Sequence, residues 1–131
     1  MAKWIIEPKG LPRTMGPYSQ IVEGQGSRLV FISGQVPVDA SGNLVGPGDL
    51  ESQTRQVLKN LKTAVEAAGG RVGDICKITI FLVKYDEAAY RTVAQARKEF
   101  FEGEYPASTL VQVVRLASPD WLIEIEAYAV I

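Results

Sequence analysis

The stretch Tyr105–Ile131, YPASTLVQVVRLASPDWLIEIEAYAVI, decides how the rest of the chain is read. It divides into two strands, residues 107–116 and 121–131, around the turn-forming run Ala117-Ser118-Pro119-Asp120. In the second strand the odd positions Trp121, Ile123, Ile125, Ala127, Ala129 and Ile131 are all apolar. The even positions are Leu122, Glu124, Glu126, Tyr128 and Val130. Successive strand side chains point to opposite faces, so one face is core and the other sets two carboxylates among apolar neighbours. A wholly solvent-facing set would not carry Leu122, Tyr128 and Val130. The second face reads as half-buried, a setting that can tune a carboxylate for acid–base chemistry.

Working outward, Lys3–Glu7 reads as a short edge strand, followed by a proline-bearing loop from Pro8 to Ser19. Residues 20–24 and 28–32 read as a hairpin around Gln25-Gly26. The glycine of Ser33-Gly34-Gln35 permits a bulge or a close backbone approach. Val38 to Asp49 is a surface loop. A first helix spans Leu50 to Ala68 and stops at Gly69-Gly70, with Thr54, Val57, Leu58, Leu61, Val65 and Ala68 as its buried stripe. Residues 75–83 form a strand that places Cys76 with Ile78, Ile80 and Leu82 on one face, an inert buried thiol. Asp86 caps a second helix from Glu87 to Phe101, whose buried stripe is Tyr90, Val93, Ala96/Arg97 and Phe100.

The order is βββαβαββ. It predicts one α+β domain over residues 1–131, a six-stranded mixed sheet with two helices packed on one face. The other face then holds Phe81, Val83, Leu122, Tyr128 and Val130. A monomer would expose these as an apolar patch, so subunits are expected to pack there.

Composition excludes several kinds of chemistry. The 131 residues are 47% hydrophobic with a net charge of −1, and the basic residues are scattered, which argues against a nucleic-acid partner. No apolar run reaches a membrane span and no signal-peptide core opens the chain, so a cytoplasmic location is expected. There is no His and a single Cys. Ser-His-Asp and Cys-His pairs, His-based metal sites and internal disulfides are thereby removed. No cofactor or metal motif is present. Catalysis falls to carboxylates, hydroxyls, Tyr, Lys, Arg or backbone groups.

Five ordered motifs resemble the YjgF/RidA (Rid) family: Gly16-Pro17-Tyr18-Ser19-Gln20, Ser33-Gly34-Gln35, the run Gln53–Leu61 (QTRQVLKNL), Pro106-Ala107, and Ile123-Glu124-Ile125-Glu126-Ala127. The similarity covers essentially the whole chain. It implies a chorismate-mutase-like fold, a homotrimer packed through its sheets, and small-molecule ligands held in clefts between subunits. It also implies hydrolysis of reactive enamines or imines to keto acids and ammonia, with ligand binding or RNA cleavage as other family roles. The resemblance makes Glu124 the residue that activates water, and Tyr18, Ser33, Gly34, Ser108 and Thr109 the cleft lining.

Two positions depart from the deaminating members. Ser108 stands where they carry an arginine for the substrate carboxylate, and Ala94 stands where they carry an asparagine. A hydroxyl cannot replace a bidentate guanidinium, so the substrate is expected to differ from a simple 2-imino acid. Arg115, Arg28 or a side chain of another subunit are the candidates to reach an anionic group. A non-catalytic trimeric binder or regulator is the alternative reading.

Overall fold

The computed structural model describes residues 2–131. Its core is the face of a four-stranded sheet covered by two helices. Strands β1 (Ala2–Ile6), β2 (Ile21–Gln25) and β3 (Leu29–Gln35) precede helix α1 (Leu50–Ala67). Strand β4 (Ile75–Leu82), helix α2 (Glu87–Phe101), β5 (Ala107–Gln112) and β6 (Ile123–Val130) complete the order. The expected α+β order holds, and the second helix begins and ends where its periodicity predicts.

The alternation of β6 is realised as read: Ile123, Ile125, Ala127 and Ala129 are buried in one cluster with Val57, Leu61 and Val65 of α1 and Val93 and Ala96 of α2. Asp49 caps α1, its carboxylate accepting from the amides of Glu51 and Ser52. Asp86 caps α2 by accepting from the Ala89 amide at 2.7 Å. At the far end Glu102 takes a left-handed conformation that stops the helix. Gln53 is fully buried and satisfied. Its amide nitrogen donates to the Gly46 and Asp120 carbonyls, each at 3.1 Å, and its oxygen accepts from the Leu122 amide at 2.8 Å. One side chain of α1 thus fixes the entry to β6.

The six strands lie in two sheets rather than one. The main sheet has the order β3-β6-β4-β5, and β1 pairs with β2 in a separate antiparallel ribbon. Within the main sheet β4 and β5 are parallel, joined over α2, and β6 is antiparallel to both β3 and β4. The hairpin expected around Gln25-Gly26 is not formed. The Ser27 and Arg28 amides donate to the Ile131 carbonyl at 3.0 and 2.9 Å, so residues 26–28 make a corner against the end of β6. A Cβ on Gly26 would sit 2.7 Å from that carbonyl, and one on Gly24 would sit 2.9 Å from Cys76 Sγ. The glycines serve this close crossing instead of a tight turn.

Strand β2 therefore runs across the sheet end, from Ser19 beside Ala107 of β5 to Arg28 at β3. Cys76 also departs from its expected place. A register shift between Ile75 and Lys77 turns its thiol away from the core and under β2, where burial pushes its pKa up. Among the described residues no helix is long and apolar enough to cross a membrane.

Candidate functional site

The alternation of β5 splits the candidate residues into two groups. Ser108 pairs with Ile78, whose side chain faces the helices, and Thr109 pairs with Thr79 on the open face. Ser108 and Thr109 therefore point to opposite sides of the sheet. Thr109 is exposed and accepts a hydrogen bond from Lys77 Nζ at 2.8 Å. Glu124 pairs with Phe81 and lies on that open face, together with Glu126.

Gly34 and Glu124 make the closest approach on the open face. The bulge expected at Ser33-Gly34-Gln35 is present, as a register shift between Ile32 and Gln35 against β6. Gly34 has no Cβ, and the Glu124 carboxylate fills the space one would occupy, with Cδ 2.8 Å and Cγ 2.9 Å from the ideal position. Ser33 beside it is exposed. Burial raises the Glu124 pKa above the ordinary glutamate value, and the neighbouring Glu126 charge adds to the rise. A half-buried carboxylate with a raised pKa, free of any cationic partner within 4 Å among the described residues, holds a proton more readily than an exposed glutamate and is suited to proton exchange with a bound molecule.

On the helix side, the loop before β2 is stitched to the start of β5. The Ser19 amide donates to the Pro106 carbonyl at 3.0 Å and the buried Ser19 hydroxyl donates to the Tyr105 carbonyl at 2.6 Å. This holds Tyr18 beside Ser108. Tyr90 and Arg97, two turns apart on α2, reach the same place. Gly16 admits the Tyr90 hydroxyl, which a Cβ there would strike. The Arg97 guanidinium donates from Nη1 to Ser108 Oγ at 3.0 Å, and its Cζ lies 5.9 Å from the centre of the Tyr18 ring.

Tyr18, Ser108 and Arg97 line one cleft of about 710 Å³, with Met15, Tyr85 and Leu110 among its walls. Glu124, Ser33 and Gly34 are not among its lining residues. The residues singled out from the sequence thus fall in two separate places, and Arg97, assigned from its spacing to the core stripe of α2, joins Tyr18 and Ser108 in one of them. Arg115, one candidate for an anionic group, instead turns back to the Leu116 and Ala117 carbonyls.

Comparison with known proteins bears directly on these motifs. A family model described as Endoribonuclease L-PSP matches residues 9–131. The chain belongs to this, the YjgF/RidA family. Among its relatives, the Escherichia coli K12 protein named "Putative reactive intermediate deaminase TdcF" is 43% identical over 98% of this chain and 97% of its own length. The "3-aminoacrylate deaminase RutC" of Acinetobacter baylyi is 39% identical over 98% of both. The crystal structure of the Rid protein YyfB from Yersinia pestis superposes with a TM-score of 0.93 at 35% identity, over the full length of both chains. The α+β architecture described above is that of the Rid fold.

Proposed function

We propose that this Rid protein is a hydrolytic deaminase of small enamines or imines, acting as a homotrimer with ligand clefts between subunits. The observation that carries the reading is the Glu124 carboxylate seated against Gly34 on a face with no helix cover, its pKa raised by burial. Deaminase-named relatives at 39–43% identity support the reaction class. Trimerisation is supported by the exposed aromatic surface of Phe31 and Tyr128 on the same face, and by the separation of the half-sites, which a neighbouring subunit would bring together.

In this reading Glu124, as carboxylate, takes a proton from water while the oxygen bonds to the imine carbon and the C=N electron pair passes to nitrogen. Nitrogen takes that proton from Glu124, giving the carbinolamine. Glu124 then carries the hydroxyl proton to nitrogen as the C–N bond breaks, so ammonia leaves and the carbonyl forms. Tyr18 and the Ser33-Gly34 segment orient the substrate. The arginine absent at 108 argues for a substrate unlike simple 2-imino acids unless another cation takes its place.

The test is ammonia release from imines generated in situ by an amino-acid oxidase, with wild type and Glu124→Gln compared. Gln is isosteric but accepts no proton, so turnover is lost and assembly retained. Decay no faster than the uncatalysed rate with every imine tried would leave a binding protein, and salt-sensitive RNA retention would point to the remaining family role.

A further inference from the structure

Arg97 is a cation buried without a counter-charge. It is 2% exposed, and its Nε has no hydrogen-bond acceptor. Among the described residues no carboxylate lies within 4 Å of it, whereas Arg55, Arg71 and Arg91 all pair with glutamates at the surface. Its neighbours are the Ser108 hydroxyl and the rings of Tyr18 and Tyr90, all uncharged. Taking a guanidinium out of water is unfavourable unless an anion is supplied.

The cleft that Arg97 closes has walls of Met15, Tyr18, Tyr85, Tyr90 and Leu110, and Arg97 is the one charged residue among its lining. A mostly apolar and aromatic cavity with convergent polar groups at one end is the usual form of a small-molecule site. The planar guanidinium matches the two oxygens of a carboxylate, and the tyrosine hydroxyls can add donors.

We propose that Arg97, reaching from α2 past Ser108, makes this cleft a receptor for the carboxylate of a small organic acid. The binding itself stands on the geometry alone. That the acid is the 2-imino acid hydrolysed by Glu124 of an adjoining subunit rests on the deaminase reading. In that case a guanidinium from α2 does the work of one carried on β5, and the serine at 108 becomes the residue that steadies it.

The experiment uses the assembled protein and pyruvate, a carboxylate that carries no imine to hydrolyse. Binding is read from the Arg97 Nε–H signal in a nitrogen-15 spectrum, identified by its disappearance in Arg97→Lys. Pyruvate shifts this signal saturably, and the neutral pyruvamide binds weaker by about tenfold or more. Arg97→Gln loses pyruvate affinity by a similar factor. Equal binding of pyruvate and pyruvamide, or pyruvate affinity unchanged in Arg97→Gln, overturns the proposal. So does inorganic phosphate binding more tightly than pyruvate, which would make this a phosphate site. Should Arg97→Gln fail to fold, the wild-type comparison of pyruvate with pyruvamide decides alone. Pyruvate selectivity without ammonia release from any imine removes the deaminase reading and leaves the site. Ammonia released equally fast from imino acids and their amides does the reverse.

Discussion

Replacing Gly34 with alanine isolates the placement of Glu124 from its chemistry. Gly34 does not use a positive φ, so the backbone accepts alanine without strain. The new Cβ would lie 2.8 Å from Glu124 Cδ and 2.9 Å from Cγ. Ordinary carbon contacts begin at about 3.5 Å, so the carboxylate must retreat by roughly 1 Å. The far end of a glutamate moves easily, and the change in folding free energy stays within about 1 kcal/mol, a melting shift of ~5 °C or less. A misplacement of about 1 Å at a reacting group costs ~10² in rate, or ~2.7 kcal/mol of transition-state stabilisation. The assay follows imine hydrolysis alongside a thermal melt and sedimentation of the assembly. Wild-type turnover in a folded, assembled Gly34→Ala protein would refute the reasoning, and so would a rate loss matched by a melting drop of tens of degrees.

Three further outcomes are expected. Because the folded-state pKa of Glu124 is raised, its ionisation penalises the folded protein as pH rises past the ordinary glutamate value of 4.5; Glu124→Gln should therefore melt higher than wild type at pH 7 and no higher at pH 3, and an offset of equal size at both values would contradict the cause given. Phe31, 69% exposed and edge-on to Tyr128, sits on the face assigned to assembly, so Phe31→Asp should sediment as a 14.3 kDa chain while wild type sediments at about three times that mass; a wild-type monomer at micromolar concentration removes the trimer. Gln53→Leu preserves volume but strands the Gly46 and Asp120 carbonyls and the Leu122 amide; a loss of about 3 kcal/mol is expected, lowering the melting temperature by roughly 10 °C, and an unchanged melt would show that water satisfies them.

Periodicity located both helices and the two-faced character of β6, because those elements pack along their full length against one partner layer. The expectation failed where a local signal had two physical uses. Glycines at 24 and 26 suit a tight turn, and they suit equally the close passage of β2 over Cys76 and Ile131 that is found. Alternation put Cys76 in the core because a one-residue register shift leaves no mark in the amino-acid order. Strand β5 ends at Gln112, four residues before the predicted end, since Val113 donates to the Leu82 carbonyl at the limit of β4 and the chain then bends under Arg115. Arg97 has the spacing of a core residue, but its turn of α2 overhangs the sheet edge, where β5 offers the hydroxyl of Ser108. Ser108 and Thr109, adjacent in the expected cleft lining, point to opposite faces of β5, as neighbouring strand residues do.

The position of β6 between β3 and β4 governs when this protein can fold. Every other described element is synthesised before it, yet β3 has no neighbour in the main sheet except β6, and β4 without it holds only the edge strand β5. A nascent chain stopped before Ile123 carries two helices with no closed surface to cover, and its sheet edges stand open to other chains. The β4–α2–β5 unit can form locally, but β3 must wait for a partner far along the chain, with one hundred residues between Leu29 and Val130. Of the described elements, the strand that the fold needs first is therefore the last to be made, and a chain stopped before it is an aggregation-prone fragment in place of a smaller working domain.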